Sequence, residues 1–457
     1  MRAALPDHQP TPGPMAASQS PARDSLTRRL GAGGLLGSTA IVFAGTALAR
    51  LLGFFFYVVS ARLLLPADYG LLAYALALVM VASILVTTAG NGLARFVARS
   101  EGNRLLVDAY VTNWSAVLAL ALVASLVVLL PLGPALGLNG WLLVGAALNV
   151  ANLAVFDAYL QAQRGLSRFR AMACYYVLAN LLQLLAVIVL AAMGWRSPAL
   201  FLIVYGLSAI VGLALQQLIW PIPVSLRLVT ISRQRVISIA RYIRPFLLHG
   251  VFYGAWWGAD LILVQHLLND TATGNYAAAK TLAQALIMAP TAIAVAAGPR
   301  LSRLPDSAVP RYLVRMMALC IGVLLPLAAV MILFRHELTF AFFGAKYPGA
   351  ALALTPLVAG TALHGLYLVL SSAWFGLGRP AIGPVATGVG TVVTVLTALA
   401  LIPLLGIAGA GLGFAAGAMT QVAIVGAYTV WGLWLGPVVR LGQLPDEAVA
   451  GFAEVRG

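Results

Sequence analysis

Charge is scarce in this chain. Only 9% of its 457 residues are Asp, Glu, Lys or Arg, and just 13 are acidic. A soluble domain carries ~25% charged and ~45–50% apolar residues, whereas here 61% are hydrophobic and the mean hydropathy is +0.95. A soluble globular fold is excluded. Cysteine is almost missing as well. Cys174 and Cys320 both fall inside apolar runs, which leaves no disulfide framework and no CxxC metal site. No glycine-rich phosphate loop, no loop-borne pair of carboxylates and no His/Cys metal spacing occurs. ATP hydrolysis by this chain is thereby excluded. The expectation is a protein that is not an enzyme and uses neither cofactor nor metal.

What is present is a series of apolar runs, each long enough for a helix to cross ~30 Å of hydrocarbon. Twelve are read, at roughly 37–60, 71–90, 111–130, 141–160, 172–193, 199–219, 246–266, 276–296, 313–334, 350–375, 382–404 and 409–435. The fold class is all-α, a polytopic membrane protein, because backbone polar groups in lipid must be satisfied within each segment. The 45 glycines suit helices that pack closely in lipid. Pro290, Pro326, Pro356 and Pro403 fall within spans and require their freed carbonyls to find other donors.

The net charge of +15 does not indicate nucleic acid, because the basic residues are scattered over short loops. With the N-terminus inside, only Arg62, Arg196, Arg335 and Lys346 of the 28 basic residues lie outside. Arg50 and Lys280 fall within spans, and all the others lie inside. A missed or spurious helix would invert that bias downstream, and it never inverts. Both termini are therefore expected to be cytoplasmic. Residues 1–32 are Pro/Ser/Ala-rich without periodicity and are expected to be a disordered tail, the first span acting as a retained signal-anchor. Residues 33–219 are read as a first six-helix lobe, 220–242 as a basic cytoplasmic linker, 243–437 as a second six-helix lobe and 438–457 as a second tail.

The halves are related. Aligning Gly70 with Gly274 also aligns Ala73 with Ala277, Ala75 with Ala279, Leu78 with Leu282, Thr87 with Thr291 and Arg99 with Arg303. Identities among small residues are weak singly, but their placement at the same turn and helix points to an internal repeat.

Three polar stripes cross the apolar runs at helical spacing. In the first span they are Thr39, Phe43, Thr46, Arg50, Phe54 and Tyr57. The seventh has His249, Tyr253, Trp256 and Asp260, and the eighth has Tyr276, Lys280, Gln284, Ile287 and Thr291. An ionisable residue in a span costs ~2.5–3.5 kcal/mol on the insertion scale, so each is a functional candidate by default. Arg50 is read as lining a cavity, with a packing ion pair as the alternative. Asp260 either pairs with Lys280 or Arg50, or carries a coupling proton or sodium ion. Lys280 either faces the cavity or snorkels to the nearby edge. Trp256 is a candidate for stacking on a sugar. His364, in the tenth span, is a second ion-coupling candidate or a helix-packing residue. Asp157 is expected to pair with Arg164 at the interface. Trp141, Trp195 and Trp220 sit at span ends as interfacial anchors.

The turn after the first span reads Ala61-Arg62-Leu63-Leu64-Leu65-Pro66-Ala67-Asp68-Tyr69-Gly70-Leu71-Leu72-Ala73. It resembles the signature of prokaryotic polysaccharide flippases in the multidrug/oligosaccharidyl-lipid/polysaccharide export superfamily, with Leu65 where that family often has glycine. Asp260, Leu261, Leu263, Gly274, Tyr276, Ala279 and Lys280 resemble a second segment of the family, and Pro299-Arg300-Leu301-Ser302-Arg303 a third. The resemblance implies a MATE-like V of two six-helix repeats around a central cavity that opens alternately to each side. It also implies a bacterial inner-membrane location and a substrate of undecaprenyl-diphosphate-linked oligosaccharide, moved for O-antigen, capsule or exopolysaccharide synthesis. The polymerase and glycosyltransferases of the same pathway are the implied partners, besides the bilayer itself. The diphosphate calls for cations in the cavity, here Arg50 and Lys280, with Tyr57, Trp256, Tyr276 and Gln284 beside them. Two alternatives remain open at this point: an exporter of organic cations with the same fold, and a non-transporting membrane partner of a glycan synthase.

Overall fold

A computed structural model describes residues 32–432 except 91, 101–102, 302–303 and 378–380, with backbone alone at 32–40, 95, 99, 245, 295–300 and 306. The expected tails at 1–32 and 438–457 lie outside the described residues, except Ala32. So do Ser302 and Arg303 of the third family segment.

The described chain is helical throughout, with sixteen α-helices. The first half contains α1 (Ala32–Leu63), α2 (Pro66–Ala82), α3 (Ile84–Ala89), α4 (Leu93–Arg99), α5 (Arg104–Ala135), α6 (Trp141–Gly165), α7 (Phe169–Ala192) and α8 (Pro198–Ile219). The second half contains α9 (Arg233–Leu267), α10 (Asp270–Gln284), α11 (Met288–Leu301), α12 (Val309–Leu333), α13 (Arg335–Phe343), α14 (Ala350–Gly376), α15 (Ile382–Leu405) and α16 (Ile407–Val430).

Among the described residues, eleven segments are long and apolar enough to cross a membrane, by length and composition. The expected second span is the exception. It is divided into α2 and α3 at Ser83, whose backbone leaves helical geometry (φ −83°, ψ 2°). The break is held by hydroxyls: Ser83 Oγ donates to Met80 O at 3.1 Å and Thr87 Oγ1 to Ser83 O at 3.1 Å. Such side-chain bonds to the preceding turn bend a helix. The eighth span is broken too, with a 3₁₀ turn at Ala285–Ile287 between α10 and α11. Pro290 explains it. A proline ring clashes with the carbonyl four residues earlier, here Leu286, and the tighter turn relieves that clash.

Helix α9 begins at Arg233, within the stretch expected to be linker, and runs unbroken into its span. The residues before it lie along α5, held by buried Asp108, Thr112 and Asn113. Ser225 N donates to Asp108 Oδ1 (2.9 Å), Arg227 N to Thr112 Oγ1 (3.1 Å) and Ser232 N to Asn113 Oδ1 (2.9 Å). Further on, α9 stands between the halves. Gly254 and Gly258 lie against Met80, Ile84 and Ala77 of α2 and α3, while Phe252 and Trp256 pack over Gly388 of α15 and Gly417 of α16.

The repeat is visible as a contact. A Cβ on Gly70 would lie 2.1 Å from Asp270 O, and one on Gly274 would lie 1.9 Å from Pro66 O. Pro66 and Asp270 are themselves equivalent in the alignment that pairs the two glycines. The N-terminal turns of α2 and α10 therefore cross backbone against backbone in a symmetric pair, and only glycine leaves room for it.

Candidate functional site

The two halves are stitched together at the end where α1 turns into α2. Tyr347 Oη donates to Ala61 O (2.7 Å), Lys346 Nζ to Arg62 O (3.0 Å), and Arg62 to the carbonyls of Phe342 (2.7 Å) and Ala341. Below them Tyr69 and Thr281 share a hydrogen bond of 3.1 Å, level with the Gly70–Gly274 crossing. Glycines set the helix spacing here, and carbonyls left free at helix ends supply the acceptors.

Beyond that closure lies a cavity of about 310 Å³ between the halves. Arg50 lines it from α1, Tyr253 and Trp257 from α9, Thr291 from α11, and Leu368 and Ser372 from α14. Arg50 Nη1 reaches Thr291 Oγ1 at 3.5 Å, and that hydroxyl in turn donates to Ile287 O at 2.7 Å. No carboxylate lines the cavity, and among the described residues Arg50 has no ion-pair partner. The wall is thus one guanidinium, three hydroxyls and an indole on an apolar ground. It offers hydrogen-bond donors and one permanent positive charge, a combination suited to an anion with several acceptor oxygens.

Lys280 is placed differently. Its Nζ lies 2.6 and 2.9 Å from the two oxygens of Asp260 and donates to Trp257 O at 2.7 Å. Tyr276 Oη donates to Asp260 Oδ2 at 2.6 Å, and Leu261 N to Oδ1 at 2.8 Å. The rings of Trp257 and Phe414 flank the ammonium, with centroids at 5.8 and 5.5 Å. Asp260 and Tyr276 are fully buried and Lys280 is 5% exposed. Every strong donor and acceptor in this triad has a partner, as a buried ion pair requires. Lys280 neither faces the cavity nor snorkels. The cavity and the triad are separated by Trp257, whose ring forms part of the cavity wall and whose carbonyl holds Lys280.

The remaining expected site residues are distributed as follows. Trp256 is fully buried, stacked on His364 (5.4 Å) and against Phe414 (4.8 Å), and its neighbour Trp257 meets the cavity instead. One residue along a helix is a turn of ~100°, so Trp257 meets His364 edge-on at 5.4 Å and reaches the cavity, whereas Trp256 stacks on His364 and stays buried. His364 Nδ1 shares a 2.8 Å hydrogen bond with Gln421 Oε1, deep in the second half. Tyr57 is half-buried beside Tyr205 (6.5 Å between centroids), away from the cavity lining. Gln284 is half-buried at the end of α10. The expected Asp157–Arg164 pair is absent from the ion pairs of the described residues. Two turns of helix separate them, ~10 Å of rise, and Asp157 lies against Gly90. The side chain of Thr39 lies outside what is described. Trp141, Trp195 and Trp220 are exposed at helix ends, as interfacial anchors are. Ser372 and Leu368 were not singled out from the sequence; they belong to an apolar helix with no stripe to mark them.

Among solved structures, the fold is similar to an inward-facing multidrug resistance MATE family transporter of the MOP superfamily, at a TM-score of 0.67 and 16% identity over 90% of this chain and 96% of that one. It is similar to the lipid II flippase MurJ in an inward closed conformation, at 0.70 and 13% over 87% and 88%. The eukaryotic MATE transporter AtDTX14 aligns at 0.62 and 15% over 92% and 97%. At these identities the likeness is one of fold. A comparison with curated protein sequences returned no match. The polysaccharide biosynthesis protein family matches residues 35–305, more than half of the chain and including Arg50, Asp260, Lys280 and the Gly70–Gly274 pair. On that match, the chain belongs to the polysaccharide biosynthesis protein family.

Proposed function

We propose that this protein is a flippase that carries undecaprenyl-diphosphate-linked oligosaccharide across a bacterial inner membrane for O-antigen, capsule or exopolysaccharide synthesis. The observation that carries the reading is Arg50: a guanidinium in a cavity between the two halves, with no ion-pair partner and no lining carboxylate among the described residues. A diphosphate presents several anionic oxygens, and a planar guanidinium binds such groups with two parallel hydrogen bonds. Tyr253 and Ser372 add neutral hydroxyls around it, while Thr291, which donates to Ile287 O, accepts from Arg50. Organic cations need the opposite wall. The one carboxylate close by, Asp260, is committed to Lys280 and Tyr276.

The cavity volume, about 310 Å³, is at the lower end of the ~300–1,000 Å³ typical of ligand pockets. It accommodates a phosphorylated head group and not a whole oligosaccharide, so transport requires the halves to part. In alternating access the bonds at Arg62, Lys346, Tyr347 and the glycine crossing act as the outer gate, closed in this state. The positive-inside distribution supports that sidedness, with the N-terminus in the cytoplasm. Asp260 with Lys280 is the candidate coupling element, since a rearrangement of that triad would free a buried charge; His364 is the second.

Mass spectrometry of lipids from cells lacking this protein tests the reading. Accumulation of undecaprenyl diphosphate bearing one defined oligosaccharide is expected. Unchanged lipids together with new sensitivity to cationic dyes would overturn it in favour of a drug exporter.

A further inference from the structure

A second cavity, of about 290 Å³, lies on the first half where the chain leaves the bilayer on the linker side. Ile41 of α1, Ser167, Arg168, Phe169 and Arg170 at the start of α7, and Trp220 after α8 line it. Neither arginine has a carboxylate within ion-pair distance among the described residues. Among the described residues, half-buried Arg168 donates one bond, from Nη1 to Pro221 O at 2.8 Å, and exposed Arg170 makes none. Two guanidinium groups are thus held around one concavity with most of their donors unused.

The surroundings identify the medium. Leu218 and Ile219, the last residues of α8, are 82% and 74% exposed, and Leu228 and Val229 of the linker are 77% and 98% exposed. Such side chains at the end of a lipid-facing helix belong at the boundary between acyl chains and head groups. Trp220 lies between them, as expected of an indole at that level. The pocket is therefore basic on its polar side and continuous with apolar surface on the other. Basic pockets between transmembrane helices bind anionic lipid head groups for this reason: the phosphate meets the cations while the chains stay in the bilayer.

We infer that this pocket between α1 and α7 is a binding site for an anionic phospholipid of the adjacent leaflet. Its phosphate sits between Arg168 and Arg170, and its acyl chains run along Ile41, Leu218 and Ile219. This site is separate from the Arg50 cavity, although α1 contributes to both, and it does not depend on what the protein transports. A lipid held there would tie the start of α1 to α7.

The test is native mass spectrometry of the full chain purified into nanodiscs of equal phosphatidylglycerol and phosphatidylcholine. At least a fivefold enrichment of retained phosphatidylglycerol is expected for the wild type. Arg170→Gln should lower it at least twofold, and Arg168→Gln with Arg170→Gln should abolish it. Because Arg168 also holds Pro221, Arg170→Gln alone, checked for an unchanged melting temperature, keeps the test independent of folding. Equal retention of the two lipids would overturn the proposal, as would equal retention by wild type and Arg170→Gln. Displacement of the lipid by inorganic diphosphate as effectively as by added phosphatidylglycerol would also overturn it, since the pocket would then read phosphate without the lipid.

Discussion

Arg50 and Lys280 are the two basic residues that sequence places inside spans, yet their surroundings are opposite. Arg50 stands in a cavity wall with, among the described residues, a single long hydrogen bond to Thr291 and no counter-ion. Lys280, behind Trp257, is saturated by Asp260, a main-chain carbonyl and two aromatic faces. The difference separates two uses of intramembrane charge. A buried charge with all its partners contributes to holding one arrangement of helices. A cation that lacks partners and faces a cavity is available to a ligand, and its solvation is left for the ligand to complete. A single residue, Trp257, divides the two situations.

The comparison is broken most severely at Asp260. Asp260→Asn leaves the Lys280 ammonium buried without its counter-ion, a loss expected to cost about 3–5 kcal/mol. Melting of the purified protein should fall steeply, and Asp260→Leu combined with Lys280→Met should recover most of it. Next is Tyr276→Phe, which removes one hydrogen bond to a charged acceptor, worth about 1.5–3 kcal/mol in the same assay. Gly274→Ala tests the closed end. A methyl group there overlaps Pro66 O and overpacks the crossing by about 1–3 kcal/mol. Labelling of a cysteine placed at Thr281, buried beside the crossing, should rise severalfold as the gate opens. The smallest effect on stability is expected at Arg50. Arg50→Ala removes no ion pair and should change stability by no more than about 0.5 kcal/mol, leaving membrane abundance normal while glycan export fails. Arg50→Lys, a point charge without the planar fork, should restore export only partly.

The sequence carried the fold a long way for physical reasons. Lipid forces every span to satisfy its own backbone, so apolar length and loop charge together give the helix order almost without tertiary knowledge. The breaks at Ser83 and Ala285–Ile287 were harder to read. Ser83 is an ordinary residue in an apolar run, and the Pro290 effect appears one turn upstream of the proline. The Gly70–Gly274 match was legible as a repeat, but alignment alone does not say that equivalent residues touch.

Site residues divide along the same line. Helical spacing located Arg50, Asp260 and Lys280, because intramembrane charge is rare enough to be noticed. Partnership depended on distances between helices far apart in sequence, so the two cations looked equivalent until their neighbours were known. Trp256 and Trp257 show how narrow the margin is. Both tryptophans touch His364, yet only Trp257 also lines the cavity, and a stripe drawn at three- and four-residue steps selected the one that is buried.

The most direct test is lipid transfer in proteoliposomes made with purified protein and a fluorescent, short-chain polyprenyl-diphosphate oligosaccharide. The wild type is predicted to move the lipid between leaflets, and Arg50→Ala to slow the transfer at least tenfold, which is about 1.4 kcal/mol at the transition state, with no change in melting temperature. Equal transfer by the two proteins would contradict the assignment of Arg50 as the cation that receives the diphosphate.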